Sequence, residues 1–196
     1  MACNRILAYH LVLSAYGFWL PNDPRGSWSD YVGGRKLLPF GVATKVTTRV
    51  SLAASGHDVK ARLTAKTALA GEPIRFSSRQ ALAIGRGFAM ACREGAYRCH
   101  ACAILPEHVH LVIGRHERPI GRIVGHLKTR GRQRLAAERL GPEGSRPAWG
   151  HGSWRVFLYT PEEVARSIAY VEANPGREAK PRQRWSFVVP FEAPGE

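Results

Sequence analysis

No stretch of the sequence approaches the roughly 20 consecutive apolar residues that a membrane-spanning helix requires. The opening Met1-Ala2-Cys3-Asn4-Arg5 is not a basic segment leading into a long apolar one. Secretion and membrane insertion are therefore not expected, and a cytoplasmic setting is. Cysteine is scarce: Cys3, Cys92, Cys99 and Cys102 are too few and too irregularly spaced for a disulfide framework, which fits a reducing compartment. Cys99-His100-Ala101-Cys102 invites a zinc or redox reading. Residues three apart on a strand point to opposite faces, however, and no second cysteine pair completes a site, so ordinary buried thiols are expected. Acidic residues are the third shortage: 15 Asp and Glu against 29 Lys and Arg leave a net charge of +14 and a pI near 10.4. Internal repeats and low-complexity tracts are absent from the sequence as well.

What is present suits a single domain: 196 residues, 44% of them hydrophobic. A chain of this length buries roughly 70% of its unfolded surface without help from disulfides or a structural metal. Global disorder is excluded. The positive charge favours a polyanionic partner, because phosphates that take up Lys and Arg release condensed counterions. Composition leaves one alternative open, a basic but otherwise unspecialised soluble protein.

Ile6 to Ser14 is rich in β-branched and large apolar residues and is predicted to be a buried first strand. Residues 17 to 76 read as an insertion or elaborated connection within one domain spanning residues 1 to 196. In it, the stretch from Trp19 to Trp28 is turn chemistry flanked by tryptophans, and Asp58 to Ala70 is the better helix candidate. Ser77 to Gly95 is predicted to be a helix, with Ser77 and Gln80 at capping-box spacing. Tyr97 to Leu105 and His108 to Ile113, separated by Pro106-Glu107, suggest an antiparallel hairpin. Arg118 to Leu140 reads as a long helix in which Ile120, Ile123, Val124, Leu127 and Leu135 share one arc. Arg118, Arg122, Lys128, Arg130 and Arg132 lie off that arc, a basic face suited to phosphates. Gly125 and Gly131 cost such a helix about 1 kcal/mol each. A short strand is predicted over Trp154 to Leu158 and a final one over Trp185 to Val189. Between them a helix opens on the cap Thr160, with Pro161 first and Glu163 third, and ends near Asn174-Pro175-Gly176.

His108 and His110 stand two apart on a strand, so both imidazoles project from one face, near enough to share a cation, while Val109 points into the core. A lone His-x-His is more often structural. Its place in a hairpin of a phosphate-seeking chain raises its weight. On the last helix Val164, Ile168 and Val171 form an apolar arc, and Tyr170 and Asn174, four apart, share a face about 100° away from it. Taken alone, that pair reads as a packing residue and a helix cap.

Together the two segments spell a pattern. Leu105-Pro106-Glu107-His108-Val109-His110-Leu111-Val112, followed by Ile168-Ala169-Tyr170-Val171-Glu172-Ala173-Asn174-Pro175, resembles the single-tyrosine HUH transposases of simple bacterial insertion sequences and REP-associated elements. The resemblance runs from about Tyr97 to Trp185; Tyr9-His10-Leu11-Val12 resembles the family's first strand, and Trp154-Arg155-Val156-Phe157 also fits. Glu107 stands where many members have Asn or Asp, and residues 17 to 76 exceed the usual spacer.

The resemblance implies an α+β, ferredoxin-like HUH fold: an antiparallel sheet with the histidines on a central strand and helices packed on one face. It implies Tyr170 as nucleophile and His108, His110 and Asn174 as ligands of Mg²⁺ or Mn²⁺. It further implies a bacterial, nucleoid-associated enzyme acting on single-stranded or hairpin DNA, as a homodimer or alone. Two imidazoles and an amide oxygen would leave positions open for phosphate oxygens. Tyr170 would then form a 5′-phosphotyrosine and free a 3′-OH. Tyr159, Tyr97 and Tyr9 are the rival nucleophiles. The alternative function is a domesticated, non-mobile DNA-binding protein of the same fold. A relaxase or replication initiator is disfavoured, since 196 residues leave no room for a helicase.

Overall fold

The computed structural model describes residues 5–48, 52, 55–143 and 146–193, and Cys3 lies outside them. Four strands, β1 Ala8–Ser14, β2 Cys99–Ile104, β3 His108–Gly114 and β4 Trp154–Leu158, form one sheet in the order β2-β3-β1-β4 with antiparallel neighbours. β3 is therefore central, as expected of the histidine strand.

Alternation divides the strands into two faces. Tyr9, Leu11 and Leu13 of β1 and Val109, Leu111 and Ile113 of β3 belong to the larger core. Helices α2 (Ser78–Gly95) and α3 (Ile120–Ala137) cover it with Ile84, Phe88, Ile123 and Leu127. Each such fully buried side chain contributes roughly 1.5–3 kcal/mol. The predicted capping box starts α2: Ser77 Oγ accepts from Gln80 N at 3.3 Å and Gln80 Oε1 accepts from Ser77 N at 2.8 Å. The two helices meet backbone to backbone, since a Cβ on Gly87 would stand 2.6 Å from the Arg130 carbonyl oxygen. Gly131 packs against Trp149 and Phe88 at the same crossing. That contact accounts for the glycine, and α3 runs unbroken through it.

The other face carries Ala8, Ala101, Ala103, Val112 and Leu158, and helix α4 (Pro161–Arg177) covers them with Val164 and Val171. The α+β architecture stands, and helices on one face describes α2 and α3. α4 corrects that expectation, because the second face offers an apolar patch that matches its stripe. Thr160 Oγ1 caps α4 by accepting from Glu163 N at 3.2 Å, with Pro161 at the first position, as predicted. The helix runs through Pro175 to Arg177, one residue beyond the predicted end at Asn174-Pro175-Gly176. In the last turn a proline removes a single backbone bond, and its fixed φ remains helical.

Two further expectations are corrected. A register shift between Cys99 and Ala101 puts a bulge in β2, so Cys99 and Cys102 both face the larger core and not opposite faces. They are free buried thiols, as is Cys92, whose pKa burial pushes up to about 12. Trp185 to Val189 is not a strand: Val188 makes one isolated bridge to Cys99, and Trp185 turns inward against α2, filling the space a Cβ on Gly85 would need. The edge of β2 is closed by a side chain instead. Gln183 Oε1 accepts from Ile104 N and Gln183 Nε2 donates to Ile104 O, both at 2.8 Å.

In the stretch from 17 to 76, a 3-10 helix spans Arg35–Phe40 and α1 spans Val59–Thr67, capped by Asp58. Leu20, Leu37 and Ala65 form a small core of their own there.

Candidate active site

The register places His108 opposite Ser14 and His110 opposite Val12 on β1. Both imidazoles project on the α4 face, and Val109 between them is buried in the larger core, as predicted. Their ring centroids lie 4.8 Å apart, with the planes at 84°. From α4, the Tyr170 ring reaches 5.5 Å from that of His110. Asn174, one turn further on, is buried, and its Nδ2 donates to the Tyr170 carbonyl at 3.4 Å, which leaves Oδ1 as its other polar atom. Of the rival tyrosines, Tyr9 and Tyr97 lie in the core on the opposite face, and Tyr97 Oη is engaged by His126 and Arg118.

Three neighbours were missed by reasoning from sequence. His10 on β1 faces Val112 and is thus diagonal to His110, within reach of a ring. His10 Nε2 and His110 Nδ1 are hydrogen-bonded at 3.0 Å, and the His10 ring lies 5.7 Å from Tyr170. Phe18, from the long connection after β1, stacks on His108 at 5.2 Å and 8°. Arg177, the last residue of α4, lies over the Tyr170 ring at 4.8 Å. His10 has the right parity on a predicted strand, yet only the register shows which residue it faces.

Burial sets the charge state. It holds the pKa values of His10 and His108 down at about 4, and that of His110 well below the ordinary imidazole range, with the nearby His108, His10 and Arg177 adding to the effect. All three rings are neutral at pH 7, the form that ligates cations. His108 Nδ1 is buried with no hydrogen-bond partner among the described residues. An unpaired buried ring nitrogen is what a cation or a polar ligand would satisfy. No group of three or more His, Cys, Asp and Glu that could hold a metal is found among the described residues. A cation held by the two imidazoles would need a third protein donor of another type, and the Asn174 amide is of such a type. This donor set suits a weakly held divalent cation with several open positions.

The helix α3 is shorter than the predicted Arg118 to Leu140, its N-cap being Pro119, so Arg118 stands just before it; the basic residues of this segment divide into two groups. Lys128 Nζ donates to Gly150 O at 2.8 Å and to Gly152 O, and burial, reinforced by Arg155, lowers its pKa to about 8. Arg130 Nε donates to Glu94 Oε2 at 2.7 Å. These two tie α3 to its surroundings. Arg118, Arg122 and Arg132 are exposed, although Arg118 also donates to Tyr97 Oη at 2.6 Å. α3 packs on the sheet face away from His108 and His110, so the structure does not bring the basic set and the imidazoles together.

No protein-family model matches the sequence, and no curated protein matches it. Among solved structures, the chain is similar to a REP-associated tyrosine transposase bound to a REP hairpin, with 11% identity over 92% of this chain and 74% of the other and a TM-score of 0.49. It is also similar to a candidate transposase from Deinococcus radiodurans R1, with 14% identity over 86% of this chain and 90% of the other and a TM-score of 0.40.

Proposed function

We propose that the chain is a single-tyrosine HUH transposase, a strand transferase that cuts and rejoins single-stranded DNA through a 5′-phosphotyrosine. One observation carries this reading: α4 delivers the Tyr170 ring to within 5.5 Å of His110, on the face where the HxH pair projects. Tyr170 Oη would attack the scissile phosphorus and give up its proton. The bond from phosphorus to the 3′ oxygen breaks, that oxygen takes up a proton, and the 5′ end stays esterified to the tyrosine. The freed 3′-OH can reverse the step at another junction without a nucleoside triphosphate.

His108, His110 and Asn174 are the residues that would hold Mg²⁺ or Mn²⁺. A bound divalent cation polarises the scissile phosphate and offsets charge that develops on it. Arg177 lies over the Tyr170 ring, so a guanidinium stands beside the proposed nucleophile. Phe18 covers His108 and limits the freedom of its ring. Arg118, Arg122 and Arg132 would contact the phosphates of hairpin DNA, and Lys128 and Arg130 would add to the field of the same helix.

The test is incubation of the protein with single-stranded hairpin substrates and Mg²⁺. A denaturation-resistant adduct is expected on the peptide containing Tyr170, lost in Tyr170→Phe while DNA affinity and melting temperature persist. An adduct that survives in Tyr170→Phe moves the role to another residue. No adduct from the unaltered protein favours a non-catalytic DNA-binding protein.

A further inference from the structure

His10 has no part in the chemistry above, although it is mostly buried and hydrogen-bonded to a proposed cation ligand. We propose that His10 is a positioning residue: it accepts the Nδ1–H of His110 and thereby fixes the tautomer that leaves His110 Nε2 bare for the cation. This inference rests on the strand-transferase reading.

One proton lies between His10 Nε2 and His110 Nδ1, 3.0 Å apart. If His10 donated it, the single ring proton of neutral His110 would sit on Nε2, and neither nitrogen of His110 could ligate. If His10 accepts it, His110 Nε2 keeps its lone pair, and His10 must carry its own proton on Nδ1. Ligation thus dictates the tautomers of both rings, in the way that a ligating histidine is commonly oriented through its second nitrogen. The ring packing fixes the same geometry: His10 lies 5.2 Å from His110 and 5.7 Å from Tyr170, touching the proposed ligand and the proposed nucleophile together. A Leu or Val at this position of β1 would pack without burying a polar ring, so the imidazole is explained by the hydrogen bond and not by the core.

The experiment uses the full chain in three measurements. The first is nitrogen-15 NMR of the histidine side chains, metal-free and with Mg²⁺. The second is Mn²⁺ binding followed by electron paramagnetic resonance, and the third is thermal melting. With Mg²⁺ the unaltered protein should show His110 protonated at Nδ1, with coupling across the hydrogen bond to His10 Nε2. His10→Leu should weaken Mn²⁺ binding roughly 10- to 100-fold, and His10→Gln, whose amide oxygen can accept the same proton, should restore most of it. His110 protonated at Nε2 in the Mg²⁺-loaded protein, or His10→Leu binding Mn²⁺ as tightly as the unaltered chain, overturns the proposal. If His10→Leu fails to fold, the NMR tautomer and the His10→Gln affinity decide it. Mn²⁺ binding that is unchanged in His108→Ala/His110→Ala instead overturns the cation reading beneath it, an outcome distinct from failure at His10.

Discussion

The two faces of one sheet are made by alternate residues of the same strands, and they obey different rules. On the α2/α3 face, Leu11, Leu13, Val109, Leu111 and Ile113 are fully buried among aliphatic and aromatic neighbours. On the α4 face, the same β1 and β3 present His10, His108 and His110 beside a short apolar patch. The first face carries the larger of the two apolar cores. The second holds three neutral rings in fixed places, which burial alone would not favour, and it can do so because the first face anchors their strands. A rigid site here is a property of the opposite core.

That division predicts separable losses. His108→Ala/His110→Ala should reduce adduct formation by on the order of a thousandfold or more, the several kcal/mol of charge stabilisation being removed, with a melting temperature close to that of the unaltered chain. Leu111→Ala, one residue away but on the other face, should destabilise the fold by roughly 2–5 kcal/mol in chemical denaturation, while adduct yield per folded molecule is kept at low temperature. An equal loss of function and stability in both variants would erase the contrast between the faces.

A pH effect comes next. The pKa values of His10 and His108 are lowered to about 4 in the folded state, from 6.5. Between those values the unfolded chain binds protons that the folded chain refuses, so the contribution of these two histidines is constant above about 6.5 and stability falls as pH drops toward about 4. Melting curves should show that fall, and His10→Leu should make it shallower. The smallest effect belongs to the exposed arginines: charge reversal at Arg122 and Arg132 should lower the slope of log affinity against log salt by about one for each lost phosphate contact.

What could be read from the sequence was local. Ser77 with Gln80, Thr160 with Pro161 and the alternation through His108-Val109-His110 each encode a structure within a few residues, and each is found where expected. What could not be read depends on partners distant in sequence. The bulge between Cys99 and Ala101 shifts the parity of β2, the inward turn of Trp185 replaces a strand, and the second apolar face that seats α4 is assembled from all four strands. The same holds within the site: Tyr170 and the histidine pair are legible as motifs, while His10 becomes a neighbour of His110 only through the β1–β3 register. Phe18 reaches His108 from a connection whose sequence carries no periodic signal.

The Gln183 amide, matched to both backbone groups of Ile104, makes β2 a poor template for a further strand. At the other end of the strand Val189 N donates to Cys99 O at 2.8 Å, so the β2 edge is occupied at both ends. The side chain of one glutamine thus does at the Ile104 end of β2 what a fifth strand would otherwise do.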